Sequence, residues 1–238
     1  MAVFRFKQFS VVNERSAMKV NTDGVLLGRL MTLLPADQRL LDIGTGTGTI
    51  ALMAAQRLSG INSNAVHIDA IDIDEPSVQE AGINFAASPW PDFLEVRRVP
   101  LQQFEPDSQY DLIFSNPPYF DNSLTNPDAR DTAARHTDSL SYRDIFAFAE
   151  RFLADSGRVA LVLPSDEEAR LCREARSRGL FLFRIVRVRT TPRKPVSRII
   201  AEFGRQRCSD PVQEGLTIQE KGRYTDQYID LLKEFLYI

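Results

Sequence analysis

Cysteine and histidine are scarce in this chain, and each scarcity removes a class of function. The two cysteines, Cys172 and Cys208, lie far apart in 238 residues and form no CxxC. Neither a disulfide framework nor a thiolate zinc site is expected from them. The two histidines, His67 and His136, share no metal-ligand spacing, so no metal is expected. No apolar run approaches the ~18 residues that a membrane-spanning helix needs. The opening MAVFRFKQFS lacks the apolar stretch of a secretory signal. A cytoplasmic protein with reduced thiols, no membrane association and no obligate protein partner is the expectation. Internal repeats and low-complexity tracts are missing as well. A hydrophobic content of 43% and a charged content of 26% then describe an ordinary globular chain, of a length that suits one large α/β domain.

The net charge of −3 argues alone against a polyanion ligand, but its distribution argues the other way. Residues 170–207 hold 12 Lys/Arg against Glu174 and Glu202, a local +10, whereas residues 31–169 carry −13. The stretch RVRTTPRKPVSR (187–198) is too dense to be an average surface, and a basic strip beside an acidic body is the footprint of a nucleic-acid binder. Arg193, Lys194 and Arg198 are its centre.

Hydrophobic periodicity alternates between strand and helix. Asp23–Leu34 reads as a helix with Asp23 as a possible N-cap, RLLDI (39–43) as a strand, Thr49–Leu58 as a helix and HIDAID (67–72) as a strand. Glu75–Ala87 reads as a helix with Pro76 in its first turn, where the missing N–H costs nothing. LEVRRV (94–99) and YDLIF (110–114) follow as strands, then a helix over Tyr142–Asp155, a strand over 157–164 and a helix over Asp166–Arg178. Residues 180–189 and 197–204 alternate like an antiparallel pair, and Tyr224–Leu236 closes the chain as a helix. Such alternation predicts a doubly wound, seven-stranded, mostly parallel sheet with an antiparallel C-terminal edge hairpin. It forms one domain over 1–238, with a short N-terminal extension over about the first 35 residues.

LLDIGTGTGTIAL (40–52) sets Gly44, Gly46 and Gly48 between a strand and a helix. Glycines there let backbone approach a ligand, and the helix start offers free N–H groups. The sixth position from Gly44 is Thr49, so the dinucleotide fingerprint GxGxxG is not met, and no P-loop lysine follows. The pattern is GxGxG with Asp42 two residues ahead, similar to the S-adenosylmethionine loop of class I methyltransferases. Asp72, ending the next strand, is placed to accept both hydroxyls of a ribose; Asp74 reads as a helix N-cap.

SNPPYFDN (115–122) ends the buried strand YDLIF with two prolines. Asn116 and Pro117 each precede a proline, which holds both in extended geometry and keeps their carbonyls out of any helix. With the Asn116 side-chain oxygen they offer acceptors for the two N–H donors of a planar amine. Tyr119 is placed to stack on the ring that bears it, a contact worth ~1–3 kcal/mol. No strong base is required, because the nitrogen attacks an activated methyl and the cationic product sheds its proton.

The set Asp42, Gly44, Gly46, Gly48, Asp72 and NPPY resembles class I, Rossmann-like N-methyltransferases that act on planar amino or amide nitrogens. AMKVNTDGVLLGRL (17–30), DLIFSNPPYF and YTDQYIDLLKEFLYI extend the likeness over nearly the whole chain to the bacterial tRNA1(Val) (adenine(37)-N6)-methyltransferase family. The resemblance implies S-adenosylmethionine as cofactor and an adenine of the tRNA anticodon loop as target, a base that costs less to extrude than one in a duplex. It also places Lys19, Thr22, Asp23 and Gly24 near the methionine tail of the cofactor. One departure stands out. Many class I enzymes carry an acid after the third strand to meet the cofactor adenine. Here Pro100 occupies that place, so Leu101 packing or Gln102 takes over. In the polar stretch 121–142, Arg130 and Arg135 are candidates for RNA phosphates, and His136 has no assigned role. Two rivals remain at this point: the same chemistry on a protein glutamine amide or an rRNA guanine, and a non-catalytic RNA-binding module.

Overall fold

The computed structural model describes residues 2–61, 66–118 and 140–238. Tyr119, Arg130, Arg135 and His136 lie outside them. A small hairpin, β1 (Val3–Arg5) and β2 (Ser10–Val12), opens the chain. Helix α1 (Thr22–Leu30) follows, then β3 (Arg39–Ile43), α2 (Thr49–Ser59), β4 (His67–Asp72) and α3 (Glu75–Ala86). The rest runs β5 (Leu94–Arg98), β6 (Tyr110–Ser115), α4 (Tyr142–Phe152), β7 (Leu153–Pro164), α5 (Glu168–Ser177), β8 (Phe181–Arg189), β9 (Arg198–Gly204) and β10 (Val212–Thr217). A second small hairpin, β11 (Gln219–Glu220) and β12 (Arg223–Tyr224), leads into α6 (Asp226–Leu232).

The sheet order is β10-β8-β9-β7-β6-β3-β4-β5. Its middle strands are apolar on both faces, which is why they read as unbroken hydrophobic runs. Alternation divides β3 between two cores. Leu40 joins the layer of α1, α2, α3 and α6, while Leu41 and Ile43 join the layer of α4 and α5. The chain steps from β3 to β4 and β5 on one side, then returns to the other side of β3 as β6. That reversal opens a crevice at the carboxyl ends of β3 and β6. Register brings Ile43 level with both Ser115 and Ile71, so the glycine loop, Asp72 and Asn116 all begin at one height.

Three expectations are corrected. The main sheet has eight strands rather than seven, because β10 adds in parallel to β8. The β8–β9 hairpin is therefore internal. β10 is exposed over Val212–Gly215 and lacks strand alternation in composition, which hid it. The N-cap of α1 is Asn21, whose side chain accepts the Gly24 N–H at 2.8 Å. Asp23 sits in the first turn, where a negative charge is favoured by the helix dipole. The last helix is shorter than expected and starts after its Thr225 cap.

Candidate active site

The glycine loop is held open by its neighbours. Gly44, Gly46 and Gly48 take φ of 71°, 55° and 79°, a region L side chains avoid. The Gly44 and Thr45 amides donate to Ile71 O at 2.9 and 3.1 Å, and Gly46 N donates to Asp72 Oδ2 at 2.9 Å. The other Asp72 oxygen accepts the Asp74 N–H. Burial pushes the Asp72 carboxyl up, and the two amide bonds oppose that rise. Each carboxylate oxygen keeps a further lone pair, so Asp72 can still accept hydroxyls. Asp74 caps α3 through Ser77 N, as the sequence implied.

Asp42 lies beneath the loop. It is fully buried, and its Oδ2 accepts the Thr45 hydroxyl at 2.8 Å. Its Oδ1 has no hydrogen-bond partner among the described residues. Burial, reinforced by the Asp72 charge and opposed by Thr45, pushes its pKa up to about 7. Asp42 braces the loop rather than lining the crevice. Gly48 also stays out of the lining; it starts α2, and a Cβ there would meet the Phe85 ring at 2.4 Å.

The crevice holds a cavity of about 500 Å³. Its lining includes the acids Asp72 and Asp74, the apolar Ile73, Val99 and Leu101 with Gln102, and Asn116 and Pro118. The sheet order sets the β4 end with Asp72 between the β6 end with Asn116 and the segment after β5 with Val99 and Leu101. A smaller cavity of about 30 Å³ lies beside it, lined by Lys19, Gly24, Gly44, Gly46 and Thr49. Asn116 lines both cavities. It is 6% exposed, and its Nδ2 donates to Met18 Sδ at 3.4 Å. Ser115 Oγ donates to Ile43 O at 2.6 Å, tying the end of β6 to the end of β3. Thr22 and Asp23 line neither cavity. Thr22 is exposed, and Asp23 pairs with Arg198 at 2.8 Å.

Ala17 and Met18 wall the larger cavity, and sequence reading missed what holds the segment 12–16 that leads into them. Buried polar residues on one face of α3 do it. Asn84 exchanges hydrogen bonds with Val12 backbone at 2.7 and 3.1 Å. Glu80 accepts the amides of Glu14, Arg15 and Ser16 at 2.9, 2.6 and 2.9 Å. Ser77 and Ser16 share a hydroxyl contact at 2.9 Å. Burial pushes the Glu80 carboxyl up, but those amides and the Lys19 charge outweigh it and hold it below the usual range. The readable signal is the i, i+3, i+7 stripe of Ser77, Glu80 and Asn84, polar where a helix should be apolar.

The +10 segment does not form one patch. Arg170, Arg178, Arg184, Arg187 and Arg198 pair with Glu167, Glu150, Glu202, Glu168 and Asp23 at 2.5–2.9 Å. Arg205 donates to backbone carbonyls of Ala149, Glu150 and Leu153. Arg193 and Lys194 remain exposed on the 190–197 loop. β9 runs antiparallel to β7, so this loop lies at the same carboxyl edge as the crevice. At the opposite edge, His67, Asp69 and Glu95 gather ligand atoms within 4.8 Å of one another, a set that spacing did not reveal because it spans β4 and β5. Arg39 and Arg97 lie 3.5 and 3.6 Å from Asp69, so its charge is already balanced by cations.

The donor set suits an adenosine-bearing sulfonium cofactor: an acid for the ribose, an apolar slot for a purine, and two side-chain-free glycines beneath. Comparison with known proteins agrees. Residues 16–172 match the methyltransferase small domain family. The tRNA1(Val) (adenine(37)-N6)-methyltransferases of Flavobacterium johnsoniae and Parabacteroides distasonis are each 41% identical to this chain. The alignments cover 98% of this chain in both cases, and 98% and 96% of those proteins. A solved structure from Agrobacterium tumefaciens, assigned as an O-methyltransferase, superposes with a TM-score of 0.66 at 18% identity, over 90% of this chain and 96% of that one. That likeness fixes the fold.

Proposed function

The chain belongs to the tRNA1(Val) (adenine(37)-N6)-methyltransferase family, and from that premise we propose how its residues divide the work of methylating an adenine amino group in the tRNA anticodon loop. The enzyme is an S-adenosylmethionine-dependent methyltransferase. The cofactor supplies an electrophilic methyl group on a sulfonium; the chain supplies position. Asp72 accepts the ribose hydroxyls, Leu101 and Val99 cover the purine, and Lys19 and Gly24 face the amino-acid tail from the smaller cavity. Gly44 and Gly46 leave the backbone bare against it. Asp42 and Gly48 serve the site by shaping the loop.

One observation carries the catalytic assignment: Asn116 is buried, and it lines both cavities from the end of β6. Its Oδ1 and the Pro117 carbonyl accept the two N–H groups of the exocyclic amine, which orients the nitrogen without a base. Its own N–H group on Met18 sets which way the amide faces. Tyr119 stacks on the target base. Arg193, Lys194, Arg130 and Arg135 meet the RNA backbone, and Arg198 holds the rim through Asp23. We read residues 1–238 as one methyltransferase domain whose N-terminal residues close over the cofactor, acting in the cytoplasm. Among the described residues no helix is long and apolar enough to cross a membrane.

The test is methylation of bulk tRNA lacking the modification, followed by nucleoside mass spectrometry. N6-methyladenosine mapped to the anticodon loop is expected. Methyl transfer to guanine or to a protein glutamine, with none to adenine, overturns the reading.

A further inference from the structure

Lys221 is the one residue other than glycine at positive φ (50°) among the described residues. The β11–β12 register pairs Glu220 with Arg223, so Lys221 and Gly222 (φ 79°) are a two-residue hairpin loop. Two positive φ values define a type I′ turn, whose first position asparagine or glycine adopts more readily than lysine. The turn is exposed, and no packing demands a lysine there. What lysine adds is an ammonium at the tip.

The surroundings fit a ligand of one kind. Arg223 is exposed, and no ion pair neutralises Lys221 or Arg223 among the described residues. Tyr224 is 44% exposed, with its ring stacked on the buried Tyr228 at 4.9 Å and 26°. The hairpin is fixed in place: Ile218 N and Gln219 N donate to Arg189 O and Thr190 O, and Thr225 Oγ1 donates to Thr217 O at 2.6 Å. It is thereby joined to the loop that carries Arg193 and Lys194. β10 runs parallel to β8, and β8 runs parallel to β7 because both are antiparallel to β9. The hairpin therefore stands at the carboxyl edge of the sheet, the edge that holds Asn116. Four strand spacings separate β10 from β6, roughly 19 Å at ~4.8 Å each. A polynucleotide spans that distance and a single nucleotide does not.

We propose that residues 219–224 are a second tRNA-docking element, remote from the methylated base. Lys221 and Arg223 bind backbone phosphates, and Tyr224 offers its ring to an unpaired base. This rests on tRNA being the substrate.

The test is binding of unmodified tRNA by fluorescence anisotropy over about 50 to about 200 mM KCl. K221N suits the turn better than lysine does, so it removes charge without unfolding the hairpin. K221N/R223Q should weaken tRNA binding about tenfold and lower the salt slope by roughly 1 to 2. Thermal midpoint and S-adenosylmethionine affinity should stay as in the wild type. Y224A should weaken binding with the salt slope unchanged, and Y224F should restore it. A double variant that binds tRNA with wild-type affinity and slope overturns the inference alone. A wild-type protein that neither binds nor methylates tRNA overturns the substrate reading, and this inference with it.

Discussion

Asn116 carries two constraints at once: a backbone held extended by the following proline and a side chain 6% exposed between two cavities. Asn116→Ala should cut the methylation rate by ~10²–10³, the usual cost of losing one positioned hydrogen-bonding group at a reacting centre. Cofactor affinity measured by calorimetry should change little. Retained activity would remove the amine clamp. Asp42 makes a different prediction. Its carboxyl is raised from 3.8 to about 7 in the folded protein, burial being the main cause. The folded state therefore holds a proton that the unfolded chain releases between about pH 4 and pH 7, so Asp42 favours folding below that window and loses this contribution as pH rises through it. Asp42→Asn keeps a neutral, Thr45-bonding side chain at every pH. The thermal midpoint of the variant relative to the wild type should therefore rise from pH 5 to pH 8. A flat difference would mean that Asp42 titrates normally.

At the scale of elements, α3 does more than cover the sheet. Its N-terminal Asp74 and Ser77 border the cofactor cavity, and Glu80 and Asn84 on the same face fasten residues 12–16. Glu80→Gln replaces one acceptor oxygen with a donor and removes the charge on which three amides converge. A loss of about 1–3 kcal/mol of stability is expected. Cofactor affinity should fall more than maximal methylation rate, because Ala17 and Met18 wall the cavity directly, whereas Asn116 feels the change only through its contact with Met18 and keeps its backbone anchor at the end of β6. Equal losses in both would make Glu80 merely structural. The strand and helix positions were legible in the sequence because β3, β4, β6 and α2 are regular and apolar. The α3 stripe was visible too, but its partner was not: Glu80 meets residues more than 60 positions away, and local pattern carries no information at that range.

For the whole molecule, the balance of charge needed the fold before it could be interpreted. Five of the twelve cations in the +10 strip are taken up in ion pairs around the sheet, and Arg193 and Lys194 stand exposed at the carboxyl edge that holds the crevice. The double charge reversal of Arg193 and Lys194 to Glu should weaken tRNA binding and reduce its salt slope by about 2 or more. Arg198 does not belong in that variant. Its reversal would set two acids together at Asp23 and confuse lost affinity with lost stability. Unchanged binding by the double reversal would place the RNA elsewhere.

The sequence by itself determined which residue types stand at the strand ends that form the crevice. A glycine loop after a strand, an acid ending the next strand, and NPPY ending a fourth are local signals. Each is set by φ/ψ limits or by residue type within a few positions. It also determined the fold class, because strand and helix periodicities are local. Tertiary structure alone decided which of those residues face the cavity. Asn116, Asp72, Gly44, Gly46 and Leu101 do, while Asp42 and Gly48 brace the loop and Asp23 turns to Arg198. It also decided the eighth strand and which arginines are neutralised. The physical reason is common to these cases: burial, pairing and electrostatic compensation are set by neighbours in space, and sheet register brings together residues far apart along the chain.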